Sequence, residues 1–169
     1  MSDVQALTGS IASSHVIKWL RAWYSEGMPD AIDLEIVRQM LPSTPYGAGV
    51  REIKPPVEII GDAFEGMLAR DPDDHAVWGI AYNGKARGER QRFTIAHELG
   101  HLLASDDQQI HSDKDIYGPD AKTGESETRA NAFAAAFLMP AELIRQTDTL
   151  DEAAFCSLAT RLGVSPLAL

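Results

Sequence analysis

The run RFTIAHELGHLL, Arg92 to Leu103, constrains the fold of this chain more than any other stretch. His97 and His101 stand four apart with Glu98 just after the first, among Phe93, Ile95, Ala96, Leu99, Leu102 and Leu103. On an α-helix, residues i and i+4 differ by about 40° around the axis and one turn in height, so both imidazoles can point the same way. Two imidazoles so placed can hold one zinc ion. Glu98, three residues before His101, flanks the same face from the next position round. That sets a carboxylate beside a metal-bound water without making it a ligand, as a general base requires. Zinc lowers the water's pKa towards neutrality, and Glu98 can take its proton as the hydroxide attacks an amide carbonyl.

The competing reading is a core helix that happens to contain two histidines, because the bare H-E-x-x-H spacing also arises by chance. Context favours the metal. The apolar neighbours would bury the helix, and buried histidines need partners. Gly100 costs about 1 kcal/mol relative to alanine inside a helix, which a bulk-free position next to a ligand would explain.

A catalytic zinc takes three protein ligands and leaves a fourth position to water. Glu127 is the best-placed third ligand. It opens a predicted helix, ETRANAFAAAFLMP, on which Ala130, Asn131 and Ala134 share its face at i+3, i+4 and i+7. Small side chains there would let this helix approach the HELGH helix closely enough for one carboxylate to reach the metal. A glutamate stabilised by the dipole at a helix N-terminus would be placed the same way. Glu125 precedes the predicted helix and ranks second, and His111, in a polar segment, is a further candidate.

At 169 residues the chain is long enough for one domain with a real core. Fifteen basic residues against 25 acidic ones give a net charge of −10, which argues against a broad grip on nucleic-acid phosphates and against docking on an anionic membrane. Cys156 is the only cysteine, so an intrachain disulfide and a cysteine-rich structural zinc site are both excluded. The N-terminus lacks a secretory pattern, and no run approaches the ~20 apolar residues of a membrane span. A cytoplasmic protein is expected.

Along the chain, residues 14–41 are predicted to hold two helices. The first runs from Ser14 to about Gly27. The second starts at Asp33, with Leu34, Val37 and Leu41 on one face and Pro42 as its stop. Apolar runs at Val57–Ile60, Gly66–Ala69 and Ala76–Tyr82, separated by turn formers, predict a small, mostly antiparallel sheet. A helix over Glu89–Ala104 follows, then a polar segment, then helices over Ser126–Met139 and Asp151–Leu162. Residues 105–127 carry seven acids against two lysines, half the net charge of the chain. Such a run is usually a solvated face, although a lid or a docking loop is the alternative.

RFTIAHELGHLL followed by ETRANAFAAAFLMP closely resembles the two signature segments of the ImmA/IrrE family of bacterial and phage zinc-dependent regulatory peptidases. The resemblance is close in both blocks and looser over residues 50–140. It implies an α+β, zincin-like fold of gluzincin type with the H-E-x-x-H helix packed on the sheet, and the chain is expected to form a single such domain over residues 1–169. It implies His97, His101 and Glu127 as zinc ligands and Glu98 as catalytic base. It also implies a protein substrate, a helix-turn-helix repressor whose cleavage relieves silencing. Two histidines and a glutamate also accept manganese or another divalent ion. Zincins generally hold extended substrate on an edge strand, and Ala76–Tyr82 is the strand expected for that role. Arg92 is expected to support the site or the sheet, and Tyr117 is a weak candidate for an oxyanion donor.

The C-terminal segment 151–169 reads as a partial helix-turn-helix bent at Gly163. Without following basic residues it is poorly equipped to read DNA, and it is taken as a packing element. The main alternative to a peptidase is a zinc-binding interaction module, such as one partner of a toxin–antitoxin-like pair. Glu98 argues against it, since a purely structural site has no use for a base.

Overall fold

The computed structural model describes residues 31–44, 47, 49–62, 64–104, 109–111, 124–145 and 151–168. The helix expected over residues 14–27 lies outside them, as does Tyr117. The architecture is α+β. In chain order it comprises α1 (Leu34–Met40), a 3-10 turn (Leu41–Ser43), β1 (Glu52–Ile53), β2 (Val57–Ile59), β3 (Gly66–Arg70), β4 (Val77–Asn83), α2 (Gly88–Leu103), β5 (Gln109–His111), α3 (Glu125–Leu138), α4 (Ala141–Arg145) and α5 (Glu152–Leu162). No helix among the described residues is long and apolar enough to cross a membrane.

Side-chain caps open two of the helices. Asp33 accepts from the Glu35 and Ile36 N–H groups at 2.9 and 3.3 Å, which opens α1, and Asp151 accepts from Ala154 N–H at 2.6 Å, which opens α5. At its other end α5 stops at Gly163, whose φ of 67° is the left-handed conformation that glycine adopts without a Cβ penalty. β3 and β4 form the central hairpin, in register from Gly66 opposite Tyr82 to Arg70 opposite Trp78. Its turn is built by aspartates. Asp71 accepts from Asp73 N–H and Asp74 from Ala76 N–H, each at 3.0 Å.

The sheet is mixed, a correction to the mostly antiparallel one expected. β5 joins β3 antiparallel, but β1 and β2 both run parallel to β4 on its other side. Two reversals are responsible. The loop after β2 turns the chain back and the β3–β4 hairpin turns it again, so β2 and β4 point the same way. β2 then takes the side of β4 that the hairpin leaves open. β1 and β2 are one extended segment interrupted at Pro55 and Pro56, which have no N–H to give to a ladder. Pairing shifts by one residue across that break, from Glu52 opposite Val77 to Val57 opposite Ala81.

Ala76–Tyr82 is therefore not an edge strand. It is β4, the centre of the sheet, with both sides occupied, and the outer positions belong to β1 and β2 on one side and β5 on the other. β5 and α4 were not foreseen. β5 lies inside the segment that reads as uniformly polar, and α4 restarts helix just after Pro140.

One face of the sheet, with Ile53, Leu68, Trp78 and Ile80 buried, covers α2 at Ala96, Leu99 and Leu102. Beyond it lie Phe133 and Phe137 of α3, stacked at 5.2 Å between ring centroids. α1 contributes Val37 and Met40 to the same core, and α5 contributes Leu158, Ala159 and Leu162. The C-terminal helix is thus packed into the body of the protein. Arg92 ties these ends together: its Nη2 donates to the Ile32 carbonyl at 2.9 Å, and its guanidinium lies over Gly163. Among the described residues, these contacts join the chain on either side of α2.

Candidate metal site

α2 and α3 build the site between them. The helical spacing of α2 turns His97 and His101 to one side, and both are fully buried. Their Nε2 atoms stand 3.0 Å apart. Glu127, in the first turn of α3 and 7% exposed, places its Oε2 3.4 Å from His97 Nε2 and its Oε1 3.4 Å from His101 Nε2. These three residues form a group able to hold a metal ion.

The other ring nitrogens face outward to partners on α3. His97 Nδ1 lies 2.9 Å from Asn131 Oδ1, an acceptor, so Nδ1 carries the proton. His101 Nδ1 lies 3.3 Å from Ser126 Oγ. With the proton on Nδ1, which Asn131 Oδ1 favours for His97 and the Ser126 hydroxyl can accept from His101, each Nε2 presents a lone pair to the same point. Two lone pairs at 3.0 Å repel unless a proton or a cation lies between them, and the adjacent carboxylate adds negative charge. This donor set, oriented from behind by Asn131 and Ser126, suits a divalent cation.

The close approach depends on Gly100. A Cβ there would lie 3.0 Å from Ala130 Cα and 3.2 Å from Ala130 O, so the two helices cross on bare backbone. The glycine answers to a helix crossing rather than to a ligand, the role the sequence suggested. Asn131 and Ser126 were missed as site residues. The signal for Asn131 is its i+4 spacing from Glu127, which sets it among the small residues on the same face.

Glu98 is fully buried on the side of α2 that faces the start of β3, where its Oε1 lies against Gly66. Burial, and then the negative charge of Glu127, push its carboxyl well above the ordinary range. Glu125 points outward, its side chain 90% exposed and 3.3 Å from Arg129. The backbone of His111 lies on β5 opposite Gly66.

A helix carrying H-E-x-x-H is a metal-binding pattern of metalloproteases, and a glutamate as third donor is one of the ligand sets such sites use. The chain belongs to the Peptidase M78 family, the IrrE N-terminal-like domain, whose profile matches residues 58–169. It is 48% identical over 77 residues to the radiation response metalloprotease IrrE of Deinococcus deserti, covering 45% of this chain and 26% of that protein. It is 42% identical over 79 residues to the radiation response metalloprotease IrrE of Deinococcus radiodurans, covering 46% of this chain and 23% of that protein. The chain thus spans about a quarter of the length of the curated relatives it matches. Membership of a metalloprotease family implies a divalent metal.

Proposed function

We propose that this chain is a zinc-dependent metallopeptidase of zincin-like fold, in which His97, His101 and Glu127 hold the metal and Glu98 is the general base. The observation that carries the reading is the convergence of both Nε2 atoms and the Glu127 carboxylate, with the buried Glu98 beside them. His97, His101 and Glu127 would hold a metal ion whose Lewis acidity would lower the pKa of water and polarise a carbonyl. Asn131 and Ser126 hold the two rings in the orientation that presents Nε2. Glu98, its proton affinity raised by burial, accepts the proton of the attacking water and returns it to the leaving amine. Zinc suits the two-histidine, one-carboxylate set, and manganese or another divalent ion is the alternative.

The substrate in this reading is a protein, a helix-turn-helix repressor whose cleavage relieves silencing in the cytoplasm. The support is the resemblance of both signature segments to regulatory peptidases. An extended segment of it would add to β5, the outer strand beside β3, because β3 is where the sheet meets Glu98.

The test is cleavage of a co-expressed helix-turn-helix repressor encoded beside the gene. Glu98→Gln is expected to retain its zinc and lose cleavage, and cleavage at the parental rate by that variant would end the proposed mechanism. Exchange of Glu127 for alanine should reduce zinc content by elemental analysis. A parent chain that binds zinc and its neighbour's product without cutting it would mark an interaction module instead.

A further inference from the structure

Glu65 is a buried carboxylate outside the metal-site group and just before β3. It is 2% exposed, and its Oε1 accepts from Arg90 Nε at 2.8 Å and from Thr94 Oγ1 at 3.3 Å. Both donors lie on α2, and with Glu98 they form one stripe: residues 90, 94 and 98 follow each other at intervals of four, one helical turn apart. The carboxylate that grips the first two members of the stripe therefore belongs to the residue adjoining the one that touches the third. Gly66 begins β3 directly after Glu65, and a Cβ added to it would lie 2.6 Å from Glu98 Oε1 and closer still to Thr94 Cγ2. The backbone of Gly66 is the wall against which the Glu98 carboxylate rests.

That wall is anchored from two directions. On the sheet side, Asn83 N–H donates to the Glu65 carbonyl at 3.0 Å, and Asn83 Nδ2 donates to the Phe64 carbonyl at 2.7 Å. On the helix side, the Glu65 side chain links this point to α2 through Arg90 and Thr94. We propose that Glu65 is a positioning residue: through Arg90 and Thr94 it holds the Gly66 backbone against Glu98 and so sets where that carboxylate stands. The inference rests on the reading of Glu98 as general base. Displacing a reacting group by about 1 Å costs on the order of 100-fold in rate.

The experiment compares Glu65→Met, which removes both acceptors at similar length, with Glu65→Gln, which keeps one. In cleavage of the co-expressed repressor's purified form by the zinc-loaded full chain, Glu65→Met is expected to lose about 10- to 100-fold in kcat with KM within about twofold. Zinc stoichiometry should be unchanged, and Glu65→Gln should recover most of the rate. Thr94→Val, which keeps shape and removes one donor, should show a smaller loss of the same kind and serves if Glu65→Met does not fold. A parental kcat in both Glu65→Met and Thr94→Val, or losses that appear only in KM or zinc content, would overturn the proposal. A crystal structure of the metal-free variant decides independently of activity. Separation of Gly66 from Glu98 supports positioning, and an unmoved Glu98 refutes it. If the parent chain cleaves nothing, the proposed function fails, while this structural arm still decides the role of Glu65.

Discussion

Substitution of Gly100 by alanine sets two effects of known size against each other. In a helix interior alanine is favoured over glycine by about 1 kcal/mol. Against that, the new Cβ would stand 3.0 Å from Ala130 Cα, 3.2 Å from Ala130 O and 3.2 Å from Phe133 Cδ1. Two of those three atoms are backbone of α3 and can yield only if the helix moves. Inserting a methyl into a well-packed seam costs about 1–3 kcal/mol, and a seam with rigid neighbours belongs near the middle of that range. The net expectation is a destabilisation of about 1 kcal/mol, or about 2–4 °C in Tm for a chain of this size.

The displacement has a second consequence. Ala130 lies one turn after Glu127 on the same helix, so moving α3 outward carries the carboxylate away from both Nε2 atoms. Zinc affinity should fall about tenfold, comparable to the loss of a supporting contact to a ligand. Urea unfolding of the chelated protein measures the first effect, and competition with a chromophoric chelator measures the second. Gly88→Ala is the control, since a Cβ at Gly88, also on α2, meets nothing within 4 Å. A Gly100→Ala protein that gains the full helix-propensity benefit and binds zinc as tightly as the parent would refute the reasoning.

Asn131→Leu removes the acceptor behind His97 Nδ1 and should weaken zinc binding by about 10- to 100-fold in the same competition assay. Asp151→Ala removes the cap of α5 and should cost about 1 kcal/mol in urea unfolding; no change would show that α5 does not depend on that bond. In the chelated protein, burial and then Glu127 hold the Glu98 carboxyl well above its ordinary value of 4.5. The folded state therefore binds more protons than the unfolded state, and the stability contributed by protonated Glu98 is complete below about pH 4.5 and lost as pH rises through the raised value. Glu98→Gln should flatten that decline, and identical declines in parent and variant would show that Glu98 does not titrate this way.

The parts of the fold legible from the residues were those governed by local chemistry. Helical spacing and caps placed α1, α2, α3 and α5 within a residue or two, because Asp33, Asp151, Pro42 and Gly163 act on their own neighbourhoods. The three apolar strands were legible from their alternation and the turn formers between them. Strand partners were not, because partner choice depends on which side of β4 the hairpin leaves open, and nothing within β2 encodes that. β5 was hidden for a related reason. Gln109–His111 has little apolar pattern of its own and becomes a strand by adding to the edge of β3. The misassignment of the substrate-facing strand followed directly, since an edge is a property of the whole sheet.

The two glycines at the site show the same limit in another form. A glycine in a sequence says that a side chain is missing, but not what would have met it. At Gly100 the missing side chain admits the backbone of α3, and at Gly66 it admits the carboxylate of Glu98. The turn of α2 that carries His97, Glu98 and His101 is therefore gripped on two sides. Through Gly100 it meets α3, which delivers Glu127 to the histidines, and through Gly66 it meets β3, which supports Glu98. The metal donors and the base share one helical turn yet are positioned by different elements. Substitutions at Gly100 should thus register in metal affinity, and those around Gly66 in turnover, with little exchange between the two.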